Sequence, residues 1–240
     1  MRLLLTLQYL GTRYAGWQWQ ANAVGIQQVV TEALGRMFGG PVKVEGAGRT
    51  DAGVHALAQR AHADVPFQIP PRGFLLGINN LLPHDIRVTA CEVVPDDFHV
   101  RFQARSKTYA YRIWNAPVDD VFGFETQVHV AQPLDAQAMQ DAAQLLLGEH
   151  DFLPFTVADP EVSSTRRTIE SIAVAREGGR ITITVAADGF LRYMVRRIAG
   201  SLIEVGRGRL DPSLLFAEAR WTAPAKGLVL VGIRYNISRS

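Results

Sequence analysis

The sequence predicts a mixed α/β (α+β) protein built from two sheet-and-helix subdomains. Three observations carry this. Runs of alternating apolar and polar residues recur from one end of the chain to the other. Apolar stripes at helical spacing fall between them. The order of elements in residues 1–102 is repeated, in looser form and without any residue-level repeat, in residues 103–240. The expected organisation is therefore an N-terminal α/β domain over 1–102 and a C-terminal α/β domain over 103–240, with the active-site cleft between them.

Taken in order, residues 3–9 read as a buried strand. A loop dense in aromatics and amides follows, Gly11-Thr12-Arg13-Tyr14-Ala15-Gly16-Trp17-Gln18-Trp19-Gln20. Its rings either stack on unpaired bases or plug the edge of the core. Ile26, Val29, Val30, Ala33, Leu34 and Met37 form a helical stripe that Gly39-Gly40-Pro41 ends. Residues 42–45 and 57–65 are strands flanking a glycine-rich loop. Phe74, Leu75, Ile78 and Leu82 lie on a helix stopped by Pro83. Residues 86–94 form a strand, and a connection through His99 leads out of the first domain.

The second domain opens on a strand over 105–114, where the period of two puts Lys107, Tyr109, Tyr111 and Ile113 on one face. Asp135 caps a helix bearing Met139, Ala142, Ala143 and Leu146, and a long loop spans 151–165. Residues 166–176 and 180–187 flank Gly178-Gly179 as a hairpin. A helix runs over 190–205, and Asp211-Pro212 starts another that ends near Trp221. A last strand covers 228–235.

Composition excludes several classes. With 48% hydrophobic and 20% charged residues and a formal net charge of +2, the 240-residue chain is an ordinary globular protein and not a polycation. The single cysteine, Cys91, rules out an internal disulfide framework and is expected to be a small buried apolar residue. No Cys/His spacing suits zinc. No run approaches a membrane span, and the short apolar start lacks a cleavage site, so a cytoplasmic protein is expected. Arg192, Arg196, Arg197, Arg207 and Arg209 cluster near the C-terminus. They make either a phosphate-attracting face or a solvated helix surface.

One stretch stands apart: Glu45-Gly46-Ala47-Gly48-Arg49-Thr50-Asp51-Ala52-Gly53-Val54-His55-Ala56. Three glycines let the backbone turn sharply or approach a ligand. A lone carboxylate two residues from a guanidinium is kept ionised and aimed, as a nucleophile or charged base must be. A tight turn in which Asp51 satisfies its own backbone is the plain alternative.

The string Gly-Arg-Thr-Asp-Ala-Gly-Val-His resembles the catalytic loop of the tRNA pseudouridine synthase A family. Three further segments resemble that family in the expected order. Tyr14-Ala15-Gly16-Trp17-Gln18-Trp19-Gln20 is similar to its Tyr-x-Gly-Trp-Gln-x-Gln segment, although Leu10 stands where the family usually has Asp. Residues 190–200 resemble its Phe…Met-Val-Arg-x-Ile-x-Gly signature, and Gly227-Leu228-Val229-Leu230 its last motif. The resemblance implies a pseudouridine synthase fold and an isomerase, an intramolecular transferase that converts uridine to pseudouridine at positions 38, 39 and 40 of the tRNA anticodon stem-loop. It implies Asp51 as the catalytic residue, nucleophile or charge stabiliser, with attack on base, attack on sugar and a glycal route all open. It implies Tyr109, Arg49 and Arg196 as substrate-binding residues. Tyr109 packs on the target uracil and is a candidate to take its C5 proton. A homodimer on tRNA is implied, with no metal and no organic cofactor.

Two other readings fit parts of the sequence. A non-catalytic single-stranded RNA-binding protein explains the aromatics and arginines but not Asp51 within a tight loop. A glycosidase wants two facing acidic groups, and only Asp51 stands out. His99, a lone loop histidine, is given no catalytic role.

Overall fold

A computed structural model of the protein describes residues 1–157 and 162–235. They form two compact units, one of Met1–Arg105 with the chain from Leu230 onward, the other of Ser106–Val229.

In the first unit β1 (Arg2–Tyr9) lies between β3 (His55–Asp64) and β4 (Ile86–Val94), antiparallel to both. The three-residue β2 (Val44–Gly46) pairs with the far end of β3, and β10 (Leu228–Tyr235) follows β3 in the strand order. A strand with neighbours on both edges and cover on both faces carries apolar residues at successive positions. Accordingly Leu3, Leu4, Leu5 and Leu7 of β1 are all buried. Leu4 belongs to a cluster with Ala47, Val94, Phe98 and Val100, against which Ile233 and Tyr235 of β10 pack. Two helices, α1 (Ile26–Phe38) and α2 (Pro71–Leu81), bury Ile26, Val30, Ala33 and Leu34, and Phe74 and Ile78, respectively. Opposite β1, β3 carries one extra residue between the pairs Leu7↔Gln59 and Tyr9↔Ala56. This bulge lies where β3 leaves the Asp51 loop.

In the second unit the strand order is β5 (Ala104–Trp114), β9 (Arg180–Ala187), β8 (Arg166–Glu177) and β7 (Gly148–Asp151), all antiparallel. The two-residue β6 (Val128–His129) runs parallel to the end of β5. Helix α3 (Ala136–Gln144) packs on β8 and on α4 (Met194–Gly206). The Asp135 carboxylate accepts the Ala138 N–H at 2.9 Å, which caps α3.

Four expectations are corrected. The helix predicted over 190–205 begins only at Met194, because Tyr193 adopts a left-handed backbone, φ 64°, that no helix can continue through. The helix predicted from Pro212 to Trp221 is a single 3-10 turn, Pro212–Leu214, followed by turns. There the Asp211 carboxylate takes both the Ser213 N–H, at 2.8 Å, and the Ser213 hydroxyl, at 2.7 Å. Part of the predicted loop over 151–165 is ordered, with Asp151 ending β7 and a 3-10 turn at Leu153–Phe155; residues 158–161 lie outside the described residues. Cys91 is half-buried on β4.

Two consequences for stability follow from packing and charge. A Cβ built on Gly200, inside α4, lies 2.3 Å from the Trp221 carbonyl oxygen. Gly200→Ala is expected to destabilise the protein by about 2 kcal/mol in urea unfolding, despite alanine's better helix propensity. The second concerns His62, whose Nδ1 accepts the Val100 N–H at 3.4 Å and whose ring meets that of His99 edge-on at 5.2 Å. Burial, then Arg2 and His99, hold its imidazole below the usual histidine value, against the opposing pull of Glu45 and Asp64. The unfolded chain therefore binds this proton near pH 6.5 while the folded one does not. Stability is expected to be fully present above that pH and to fall as pH drops from about 6.5 towards 5, above the carboxylate range. His62→Gln is expected to flatten the slope in urea titrations at pH 5.5 and 7.5.

Candidate active site

The Asp51 loop connects β2 to β3 and is held on the first unit by the segment that follows β1. Gly16 has φ 89°, and a Cβ there would lie 2.4 Å from the Thr50 carbonyl oxygen and 3.0 Å from the Asp51 carbonyl carbon. Only glycine lets the two backbones meet this closely with that dihedral angle. The Trp17 N–H donates to the Thr50 carbonyl at 3.0 Å, and the Gly53 N–H to the Tyr14 carbonyl at 3.3 Å. A third bond closes the turn itself, Val54 N–H to the Asp51 carbonyl at 3.1 Å. The backbone around Asp51 is thus fixed from both sides, while the residue itself stays only half-buried.

Side chains complete the brace. The Tyr9 and Thr50 hydroxyls lie 2.9 Å apart in the interior. Gln59 donates to the Gly48 carbonyl at 3.0 Å, and the Gly11 N–H donates to His55 Nδ1 at 3.0 Å. Burial pushes the Tyr9 hydroxyl up to about 12, against the hydrogen bonds from Thr50 and Gln59, so it remains a neutral hydroxyl. Sequence reasoning missed Tyr9, Thr50, Gln59 and His55. Thr50 and His55 lie within the glycine-rich string but nothing in it gives them a role, and Tyr9 at the end of β1 and Gln59 within β3 have no spacing that links them to it.

Two of the loop aromatics now separate. Trp17 is 2% exposed and packs on Gly46, where a Cβ would lie 2.4 Å from its Nε1. Trp19 is 47% exposed. Its N–H is held by Gln27 Oε1 at 3.0 Å, and the neighbouring Gln20 donates to the Ala15 carbonyl at 2.9 Å. Arg49 donates from Nε to Gln18 Oε1 at 3.1 Å, between the two tryptophans in sequence. Leu10 is exposed and carries no charge; the carboxylate that gathers this segment is Asp85, which accepts from the Arg13 guanidinium at 2.6 Å and the Tyr14 hydroxyl at 2.8 Å. Burial and the bond to Asp85 push the Tyr14 hydroxyl up to about 12.

On the second unit Tyr109 lies on β5, 7% exposed, opposite Val185 of β9. The Phe190 ring meets it edge-to-face at 5.2 Å. Arg196, in the first turn of α4, donates from Nε to the Ala223 carbonyl at 2.9 Å, and its guanidinium lies 4.9 Å from the Tyr193 ring centre. The arginine-rich face expected near the C-terminus disperses. Arg197 donates to the Pro154 and Thr156 carbonyls, and Arg207 and Arg209 both pair with Glu204. Arg192 and Arg196 stay together on Tyr193. Of the four predicted site residues, Arg49 and Asp51 therefore share the loop of the first unit, and Tyr109 and Arg196 stand in the second. His99 makes a structural contact, its Nε2 3.2 Å from Glu45 and its ring stacked on Phe102. Among the described residues no group of three His, Cys, Asp or Glu side chains could hold a metal ion, and no helix is long and apolar enough to cross a membrane.

Comparison with known proteins gives the arrangement its context. A family model described as tRNA pseudouridine synthase matches residues 6–103 and 142–236. The tRNA pseudouridine synthase A of Ruminiclostridium cellulolyticum is 44% identical over 243 residues, covering 98% of this chain and 99% of its own. The proteins of that name from Pelobacter propionicus and Myxococcus xanthus are 42% and 43% identical, covering 96% and 98% of this chain and 98% and 92% of their own. With both halves of the chain matched and relatives above 40% identity along nearly all of it, the chain belongs to the tRNA pseudouridine synthase family.

Proposed function

We propose that the protein isomerises uridine to pseudouridine in tRNA, at positions 38, 39 and 40 of the anticodon stem-loop, with Asp51 as the catalytic nucleophile. The observation that carries the reading is the clamped loop. Asp51 is half-buried on a backbone fixed by Gly16, Trp17 and Tyr14, and such fixing is what positions a nucleophile against a single atom of a substrate. The near full-length similarity to proteins named tRNA pseudouridine synthase A supports the substrate class.

The reaction breaks the N1–C1′ bond, turns the detached uracil and joins C5 to C1′. C5 then loses its proton and N1, which carried none while bonded to C1′, gains one, so atoms and electrons balance without a redox partner. Tyr109, its ring fixed by Phe190, packs on the uracil. Arg49 and Arg196 contact phosphate or base, the roles the family resemblance implies. The uridine must leave its stack to reach Asp51, which costs least in and near a loop. Trp19, exposed and next in sequence to the Gln18 that Arg49 holds, offers a face for a base displaced in the process. A homodimer, which the family resemblance implies, acting in the cytoplasm belongs to the same reading.

The test uses tRNA transcripts labelled with tritium at C5 of uridine. Release of label to water by the wild type, at least a thousandfold slower release by Asp51→Asn (on the order of losing one nucleophile, ~4 kcal/mol) and unchanged tRNA affinity are expected. Mapping of the product is expected to place it at positions 38–40. Tight binding without release by the wild type would move the protein to non-catalytic RNA binding.

Gly16→Ala tests the clamp. A methyl group in the left-handed region and against the Thr50 carbonyl is expected to cost about 2 kcal/mol of stability. At a temperature where the variant is still folded, tritium release is expected to fall about 100-fold, because the loop that carries Asp51 has to shift by fractions of an ångström. Circular dichroism and the release assay, run on one preparation, check both.

A further inference from the structure

Among the described residues, Tyr193 is the one non-glycine residue with positive φ, at φ 64° and ψ 0°. Such a backbone is costly for a bulky aromatic and cheap for Asn or Gly. Tyr193 is also the N-cap of α4, yet its side chain makes no capping hydrogen bond. The usual N-cap residue is Ser, Thr, Asp or Asn in an extended backbone. Both local preferences therefore argue against tyrosine at this position, and strain of this kind persists where the surroundings impose it and the residue has other work.

The surroundings are visible. The Tyr193 carbonyl accepts the Arg197 N–H at 2.9 Å and opens the helix. The Met194 N–H donates to the Leu191 carbonyl at 3.1 Å, and the Thr156 hydroxyl donates to the Arg192 carbonyl at 2.9 Å. Leu191 and Met194 are buried on either side. What the turn places is the ring: the Arg196 guanidinium lies 4.9 Å and the Arg192 guanidinium 5.1 Å from its centre. An arginine has many rotamers, and a face-on aromatic removes several while leaving the in-plane N–H donors to other partners. The Nε bond to the Ala223 carbonyl fixes the same side chain from the other end.

We propose that Tyr193 is a positioning residue for Arg196. Its left-handed turn sets the phenol ring as a platform that holds the guanidinium in its working direction. The inference rests on the reading that Arg196 serves the reaction on uridine.

The test compares wild type, Tyr193→Asn and Tyr193→Phe, each also combined with Arg196→Gln, by thermal unfolding and by tritium release from C5-labelled tRNA. Asn suits the left-handed backbone and removes the ring, so Tyr193→Asn is expected to unfold at the wild-type temperature or higher. Its release is nonetheless expected to fall about tenfold in kcat/KM, the scale of a partly buried cation–aromatic contact. Tyr193→Phe keeps the ring and is expected to restore wild-type kcat/KM. In the Arg196→Gln background, Tyr193→Asn is expected to add nothing, since the side chain it positions is gone. Equal release by wild type and Tyr193→Asn, or an undiminished tenfold loss in the Arg196→Gln background, would overturn the inference while the uridine reading stood. Absence of release from the wild type would overturn the uridine reading itself, and this inference with it.

Discussion

The first unit depends on one contact between two backbones. The segment after β1 and the loop before β3 touch at Gly16 and Thr50 with no side chain between them, and hydrogen bonds on either side of that touch join residues 14 and 17 to residues 53 and 50. A loop of this composition, with three glycines in eight residues, has high conformational entropy by itself. The order comes from its neighbours. Trp17 fills the space over Gly46, Tyr9 and Gln59 reach the loop from the two paired strands, and the bulge in β3 absorbs the change in register where the chain returns to the sheet. Rigidity at Asp51 is thus bought from the most buried strand of the unit.

The second unit solves a similar problem by a different route. Its arginines are numerous, but most are assigned to structure. Arg197 satisfies carbonyls at the 3-10 turn after β7, and Arg207 shares Glu204 with Arg209. Counting charges therefore overstates the surface left for phosphate. What distinguishes Arg192 and Arg196 is their shared aromatic neighbour, and that neighbour is placed by a backbone conformation that cannot be inferred from residue type.

Much of the fold was legible in the sequence, for identifiable reasons. β1, α1, α2, β4, β8 and β9 carry clean periodicity and strong punctuation: Gly39 closes α1 in a left-handed conformation, Pro71 opens α2, and Gly178-Gly179 turns the hairpin. The errors fall where local pattern and tertiary demand disagree. Residues 190–193 have helical apolar spacing, yet Tyr193 turns the wrong way. Residues 212–221 have a good start signal, yet Asp211 spends its oxygen on Ser213 in a tighter turn. β6 and β7, two and four residues long, are too short for a period to register. At the site, Asp51 and Arg49 were visible because the glycine-rich string is contiguous. Tyr9 and Gln59 were not, since their grouping with Thr50 exists only once β1 and β3 are paired.

The closing strand adds a constraint of another kind. From Leu230 onward the chain returns to the first unit, where Ile233 and Tyr235 cover the cluster of Leu4, Phe98 and Val100, and the Tyr235 hydroxyl donates to the Val100 carbonyl at 2.7 Å. During synthesis residues 1–105 are made well before residues 230–235, so they cannot finish their core until that last layer follows. Until β10 is made, β3 is open along the part of its edge that β2 leaves uncovered. The strand that carries the Asp51 loop therefore gains its last neighbour only after the second unit has been made.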